Sequence, residues 1–177
     1  MGKFEINNFI LFFHMTTILK KYECVAMGGT FDILHNGHIE LLKKSFEIGK
    51  FVIIGIASDN LVKEKLNKRI NNSFNVRKRN LMKIIHSEFG SRLYEITKLE
   101  DEFGPLMFSD KVDCMVASTE TSYKGAKVNE IRTSMGLTTI DIVSVELKLA
   151  QDGLPISSSR IRANEIDHNG NILRNKK

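Results

Sequence analysis

Short apolar runs alternate with amphipathic stretches along most of the chain after residue 20. The segment from Glu23 to Met27 is strand-like, and the segment from Gly37 to Ile48 carries apolar residues at helical spacing. Phe51 to Ala57 is nearly all apolar and rich in β-branched residues, which predicts a buried strand. Together these segments predict a β-α-β unit.

The same alternation continues towards the C-terminus. Further helices are predicted at about Asn75–Glu88 and Thr121–Met135, and further strands at Leu93–Thr97, Val112–Ala117 and Thr139–Val145. Apolar strands separated by helices are typical of a parallel sheet covered on both faces. The predicted fold is therefore an α/β domain with a Rossmann-like, doubly wound, five-stranded parallel sheet. In such sheets ligands bind beyond the carboxyl ends of the strands, where the strand order reverses.

A chain of 177 residues is long enough for one domain with a continuous core. We expect this domain at residues 21–167, with an N-terminal extension at residues 1–20 and a polar tail at residues 168–177. The apolar run Phe9–Phe13 is far shorter than the ~20 residues of a membrane-spanning helix and makes no convincing secretory signal. The extension is either an upstream start, with Met15 as the working initiator, or an extra element docked on the domain.

The composition, with 42% hydrophobic and 27% charged residues, is that of an ordinary folded protein. A net charge of +5 suits anionic ligands but is too small to demonstrate nucleic-acid binding. Cys24 and Cys114 lie far apart in apolar runs, so neither a metal site nor a disulfide framework is indicated. We expect both to be buried thiols of a cytoplasmic protein.

The first candidate site follows the first predicted strand. Gly28 and Gly29 allow the backbone to turn sharply and to approach a bulky anion, and Thr30 adds a hydroxyl group. The next helix should begin at Asn36 or Gly37, where free N–H groups and the helix dipole favour phosphate. A glycine turn before a helix is a weak signal when it stands alone.

Two histidines strengthen that signal. His35 and His38 are three residues apart, so their rings lie on one side of the first helical turn and can face the same phosphates. Zinc binding is the competing interpretation, but the sequence offers no third ligand. The pair is better suited to phosphate and to the charge that builds up when a phosphate is attacked.

A second candidate site lies near the C-terminus. Ser157, Ser158 and Ser159 precede a helix-compatible segment, so their hydroxyl groups can cap that helix or bind phosphate oxygens. Arg160 or Arg162 can clamp a further phosphate in fork geometry. Alone, this stretch indicates an ordinary capped helix, but next to the first site it favours a second phosphate-binding segment.

The two stretches resemble a known superfamily. Gly29-Thr30-Phe31-Asp32 followed by His35-Asn36-Gly37-His38 is similar to the G-T-F-D and H-x-G-H signature of nucleotidyltransferases. Ile156–Arg162 resembles the adenylyltransferase branch, which implies ATP and not CTP as the nucleotide.

The resemblance narrows to the archaeal and eukaryotic type of phosphopantetheine adenylyltransferase over most of residues 23–167. The matching segments include Asp101–Pro105, Val116–Thr121, Asn129–Arg132 and Ala150–Ile156. It implies transfer of AMP from ATP, with Mg²⁺, to 4′-phosphopantetheine, which yields dephospho-coenzyme A and pyrophosphate. We expect neither nucleic acid nor a membrane as a partner, and we expect a monomer or a small homo-oligomer.

Site residues follow from the motifs and the resemblance together. Catalytic roles are expected for Thr30, His38 and Lys65, with Lys63 a close competitor of Lys65. Contacts to ATP are expected for Gly28, Gly29, Phe31, His35, Gly37, Ser118, Glu120, Ser157, Ser158, Ser159 and Arg160. Contacts to the acceptor are expected for Thr30, Asp32, Lys65, Lys124 and Arg132. No protein residue is expected to be a metal ligand, because Mg²⁺ would be held mainly by phosphate oxygens and water.

Two alternatives stay open at this stage. The first is another transferase of the superfamily, acting on nicotinamide mononucleotide, FMN or glycerol 3-phosphate. The second is a nucleic-acid-binding module that uses the basic cluster between Lys63 and Arg79. The sequence lacks the interleaved aromatic and basic residues usual in such modules.

Overall fold

The structure is a computed structural model that describes residues 20–66, 69–107 and 109–173. The expected N-terminal extension lies outside the described residues except for Lys20. The last part of the expected polar tail, residues 174–177, also lies outside them.

Parallel strands form the centre of the domain. They are β1 (Tyr22–Gly29), β2 (Gly49–Ala57), β3 (Tyr94–Leu99), β4 (Cys114–Ser118) and β5 (Asp141–Val145). Their order in the sheet is β3-β2-β1-β4-β5, and every neighbouring pair is parallel. The predicted five-stranded parallel sheet is confirmed. Because the strand order reverses between β1 and β4, their carboxyl ends open a crevice there.

Helices connect the strands. They are α1 (Asn36–Ile48), α2 (Asp59–Glu64), α3 (Phe74–Phe89), α4 (Lys124–Ser134) and α5 (Ser158–Arg162), with a short 3-10 helix at Gly104–Met107. The sequence did not predict α2, which Ser58 caps by accepting a hydrogen bond from Leu61 N–H at 3.0 Å. Helix α4 begins later than predicted, because the N–H groups of Thr121 and Ser122 close a turn on the Ser118 carbonyl.

The core lies on both faces of the sheet. On one face, Val25 and Met27 of β1 pack with residues of α1 and α3, including Phe46 and Leu81. On the other face, the alternate β1 residues Cys24 and Ala26 pack with Val128 of α4 and with the loop that carries Phe103. This alternation is the pattern of a strand buried on both faces, so the sheet is covered as predicted. In the described part of the chain, no helix is long and apolar enough to cross a membrane.

The segment after β5 folds back over the carboxyl ends of the strands. Isolated bridges pair Leu149 with Pro155 and Ile166 with Ile172, and a small apolar cluster forms around Ile156 and Ile166. The described part of the expected polar tail is bound to the domain: the His168 carbonyl accepts a hydrogen bond from Asn36 N–H at 3.2 Å. This segment therefore packs directly against the start of α1.

Candidate functional site

A cavity of about 260 Å³ lies at the carboxyl ends of β1, β4 and β5. We call it the motif cavity, because residues of both sequence motifs line it. Of the predicted site residues, it is lined by Gly28, Gly29, Thr30, Phe31, Asp32, His35, Gly37, His38, Ser118, Glu120, Ser157, Ser158 and Ser159. The structure thus brings together two stretches that are more than a hundred residues apart in the chain.

The turn after β1 depends on an unusual backbone conformation. Phe31 has a positive φ of 53°, which costs a side-chain-bearing residue about 1 kcal/mol or more. That conformation places its buried ring 5.1 Å from the His38 ring, between centroids. A Cβ at Gly29 would lie 3.1 Å from the Phe31 ring, so this glycine makes room for that ring as well as for a turn. The turn therefore places the Phe31 ring in contact range of the His38 ring.

The two histidines of the first motif stack closely. Their ring centroids are 3.9 Å apart. A Cβ at Gly37 would lie 3.1 Å from the His35 ring, so the glycine between the two histidines leaves space for that ring. Burial, helped by the charge of His168, lowers the pKa of His35 to about 4, so its ring is neutral near pH 7. Among the described residues, no group of three or more His, Cys, Asp or Glu could hold a metal ion.

The start of α1 is only partly available to a phosphate. The N–H of Asn36 is bound by the His168 carbonyl at 3.2 Å. The N–H of His38 turns back to the His35 carbonyl at 2.8 Å. The helix start was expected to offer free N–H groups to an anion, and the structure shows that the C-terminal segment takes one of them.

The second motif joins the first through a direct hydrogen bond. Ser157 caps α5 by accepting from Arg160 N–H at 3.3 Å. Ser158 Oγ donates to the Ile33 carbonyl at 3.0 Å, which ties α5 to the turn after β1. Ser159 lies beside them on the cavity wall. The serines thus act as helix cap, link between motifs and cavity lining.

Two arginines of α5 have different surroundings. Arg162 lines the motif cavity, donating from Nη2 to Asp32 Oδ2 at 2.8 Å and from Nε to Asn71 Oδ1 at 3.1 Å. Arg160, which was expected to contact ATP, does not line that cavity and is paired with Asp152 and Glu165. Of the two arginines left open by the sequence, the geometry favours Arg162.

The lysines at the end of α2 are not part of the motif cavity. Lys63 and Lys65 are exposed, and neither lines the motif cavity. Arg69, which the sequence analysis passed over, lines it instead. Lys65 ends α2, donating its backbone N–H to the Leu61 carbonyl at 3.1 Å. A basic side chain on this connection does reach the cavity, but at a different position from the predicted one.

A second cavity, of about 190 Å³, lies beside the motif cavity. We call it the apolar cavity, and its wall includes Ile53, Leu61, Leu66, Thr97, Leu99, Phe103, Leu106 and Met115. Gly28, Gly29, Thr30, Ala117 and Thr121 line both cavities. The two cavities therefore meet at the turn that follows β1.

The predicted acceptor-binding cations occupy different positions. Lys124 lines the apolar cavity, with Nζ 2.5 Å from Glu102 Oε1. Arg132 lines neither cavity; it is 1% exposed and donates to the carbonyls of Leu106, Ser109 and Thr138. Its guanidinium thus joins the loop before β4 to the loop before β5. A sequence cannot distinguish such an arginine from a ligand-binding one, since both are lone cations on a helix.

Arg77 is a buried residue of the site that the sequence analysis missed. It is 0% exposed and donates to the Thr30 carbonyl and to Asp59 Oδ1, both at 2.6 Å. It also donates to the Asn72 carbonyl at 3.1 Å. Arg77 therefore fixes the backbone at the junction of the two cavities. Its position within a basic cluster gave no hint of burial.

Comparisons with known proteins identify the family of this chain. The model of the cytidylyltransferase-like family matches residues 26–164. A phosphopantetheine adenylyltransferase of Methanosarcina acetivorans is 44% identical over 153 residues, covering 85% of this chain and 96% of that protein. One of Pyrococcus furiosus is 41% identical over 156 residues, covering 88% of this chain and 96% of that protein.

A solved structure adds support for the fold. The crystal structure of a protein with unknown function from Archaeoglobus fulgidus aligns with a TM-score of 0.62 and 30% identity. The alignment covers 68% of this chain and 87% of that chain. The chain belongs to the cytidylyltransferase-like family, and within it to the group of relatives that are named phosphopantetheine adenylyltransferases.

Proposed function

We propose that this protein is a nucleotidyltransferase that transfers AMP from ATP to 4′-phosphopantetheine, forming dephospho-coenzyme A and pyrophosphate. The observation that carries the proposal is the meeting of the two cavities at Gly28, Gly29 and Thr30. The motif cavity, with hydrogen-bond donors from both motifs, suits the nucleotide, and the apolar cavity suits the extended pantetheine arm. The junction is then where the acceptor phosphate meets the α-phosphate of ATP.

The reaction needs positioning more than covalent catalysis. One oxygen of the acceptor phosphate attacks the α-phosphorus of ATP as the bond to the bridging oxygen of pyrophosphate breaks. His38 is assigned to the α-phosphate in the transition state, where a fixed donor stabilises the charge that develops. Thr30, whose carbonyl Arg77 holds at 2.6 Å, lies at the junction and is assigned to the incoming phosphate.

The triphosphate is assigned to the wall formed by both motifs. His35 stays neutral near neutral pH and can donate a hydrogen bond without carrying a charge. Ser157, Ser159 and Arg162 add donors from the other side of the cavity. Donors from two separate chain segments would thus face a bound triphosphate, and the Arg162 guanidinium suits a phosphate group.

Magnesium is proposed to enter with ATP. Glu120 and Glu146 line the motif cavity, so their carboxylates would hold the ion through its water shell rather than replace its phosphate ligands. This small donor set fits an ion whose ligands are phosphate oxygens and water, as Mg²⁺ prefers. The ion would neutralise part of the triphosphate charge.

Lys124 and Lys65 are both assigned to binding of 4′-phosphopantetheine, but the two assignments rest on different observations. Lys124 lines the apolar cavity together with its partner Glu102, so its ammonium group lies on the proposed path of phosphopantetheine. Lys65 is exposed at the end of α2, so its assignment rests on the family resemblance.

A cytoplasmic location is also proposed, because Cys24 and Cys114 are both buried free thiols, which suits a reducing compartment.

The test is product formation with defined substrates. Purified protein is incubated with Mg-ATP and 4′-phosphopantetheine, and dephospho-coenzyme A is detected by mass spectrometry. Parallel reactions replace the acceptor with nicotinamide mononucleotide, FMN or glycerol 3-phosphate, and ATP with CTP. Rapid pyrophosphate release with 4′-phosphopantetheine and ATP alone is expected, and faster release with any other pair would overturn the assignment.

A further inference from the structure

The Asp32 carboxylate lies where three segments of the chain meet. Its side chain is 2% exposed. Its oxygens accept hydrogen bonds from the N–H groups of Asn71 and Asn72 at 2.9–3.0 Å and from Asn72 Nδ2 at 3.2 Å. Arg162 Nη2 donates a further bond at 2.8 Å. Asp32 therefore connects the turn after β1, the loop before α3 and helix α5.

This environment argues against direct contact between Asp32 and a phosphorylated substrate. An ionised carboxylate only accepts hydrogen bonds, and these donors already occupy its acceptor sites. Burial would raise the pKa of Asp32, but the bonds from Asn71, Arg162 and Asn72 together hold it below its ordinary value. An anion so placed would also repel a phosphate unless a cation stood between them.

Arg162 is the cation in that intermediate position. Two of its nitrogens are held, Nη2 by Asp32 and Nε by Asn71 Oδ1 at 3.1 Å. Its Nη1 forms no hydrogen bond with any residue that the structure describes. The side chain is 23% exposed and lines the motif cavity. One edge of the guanidinium is thus fixed to the protein, and Nη1 is left for a ligand.

We propose that Asp32 is a positioning residue that holds Arg162 on the wall of the motif cavity so that its guanidinium faces a bound triphosphate. The inference rests on the proposed function for the identity of that ligand. A free arginine must lose side-chain entropy when it binds, whereas one already held by a carboxylate loses less. Asp32 would then act on ATP through Arg162 and would not contact the acceptor.

Binding of Mg-ATP without acceptor tests this coupling. Isothermal titration calorimetry is performed on the wild type, Asp32→Asn, Arg162→Ala and the double variant. Each single change is expected to weaken binding about tenfold or more, the size of a lost charged hydrogen bond. The double variant is expected to bind no more weakly than Arg162→Ala, because Asp32 has nothing left to position.

A matched control is Asp152→Asn, which removes the carboxylate paired with the neighbouring arginine of the same helix, Arg160. Its Mg-ATP affinity is expected to stay within about twofold of the wild type, because neither Asp152 nor Arg160 lines the motif cavity. Losses that add in the double variant would overturn the inference. A normal ATP affinity in Asp32→Asn with a raised KM for 4′-phosphopantetheine would overturn it too, since Asp32 would then contact the acceptor.

A further variant keeps the test decisive if Asp32→Asn does not fold. Arg162→Lys retains the charge but has a single ammonium group, which cannot hold Asp32 and a phosphate in fork geometry. It is expected to bind Mg-ATP nearly as weakly as Arg162→Ala, and wild-type affinity would overturn the inference. These titrations use no acceptor, so they are independent of the activity assay. Absence of dephospho-coenzyme A in that assay would overturn the acceptor assignment. It would leave the coupling between Asp32 and Arg162 supported.

Discussion

The two cavities meet at one turn, yet different kinds of sequence build them. Two short stretches rich in glycine, histidine and serine supply much of the motif cavity. Single apolar residues scattered over several strands and loops supply the apolar cavity. A phosphate needs several donors at set positions, whereas an aliphatic chain needs mainly shape. Phosphate chemistry therefore leaves a motif in the sequence, and the pocket for an apolar arm does not.

The difference also separates the effects expected from mutation. Changes in the motif cavity should alter turnover, ATP affinity or the pH dependence of stability, because its wall carries charge and a titratable ring. Changes in the apolar cavity should alter the use of the acceptor and leave ATP binding alone.

The largest effect is expected for His38→Ala. Removal of one fixed donor at the reacting phosphate should lower kcat about a hundredfold or more, with a much smaller change in the Kd of ATP. Steady-state kinetics and ATP titration measure the two quantities. Near-normal turnover in a folded variant would remove His38 from the mechanism.

The buried histidine should make stability sensitive to acid. The pKa of His35 is lowered from 6.5 to about 4 in the folded protein. As the pH falls from 6.5 towards 4, the unfolded chain therefore binds a proton that the folded protein does not. The free energy of unfolding should therefore fall by about 3 kcal/mol over that pH range. None of this loss arises above pH 6.5.

Urea unfolding of the wild type and His35→Gln at pH 7 and pH 4.5 measures this loss. Glutamine cannot take up the proton, so the variant should lose less stability on acidification than the wild type. Equal losses in both proteins would contradict burial of a neutral His35.

The neighbouring arginines of α5 offer the next test. Arg162→Ala should weaken Mg-ATP binding about tenfold to thirtyfold, because a charge-assisted contact in the motif cavity is lost. Arg160→Ala should weaken it less, since that side chain is paired with Asp152 and Glu165 outside the cavity. Calorimetry on both variants compares them, and the reverse ranking would restore Arg160 as the ATP contact.

The smallest effect is expected in the apolar cavity. Thr97→Phe places a large ring where Thr97 lines the wall, so the KM for 4′-phosphopantetheine should rise about five- to tenfold by steric exclusion. The Kd of ATP should stay unchanged, and Thr97→Val, which keeps the volume, serves as control. A loss of ATP affinity in Thr97→Phe would mean that the two cavities do not divide the substrates as proposed.

Much of the fold could be predicted from local pattern. The strands and the longer helices were found within a few residues of their observed bounds, because burial on two faces or on one stripe leaves a periodic signal. Helix α2 was missed, since its short run between Ser58 and Lys65 offers less than two turns of periodicity. The late start of α4 was missed because a turn on the Ser118 carbonyl precedes it.

By itself, the sequence determined the sheet, the turn after β1 and the phosphate-binding chemistry of two motifs, because residue type and short spacing carry that information. Only the tertiary structure decided the partner of each charged side chain. Arg162 donates a hydrogen bond to Asp32, and the buried Arg132 donates to backbone carbonyls. Arg69 lines the motif cavity, whereas Lys65 does not. These outcomes depend on contacts between segments far apart in the chain, and a lone charged residue has the same appearance in a sequence whichever partner it finds.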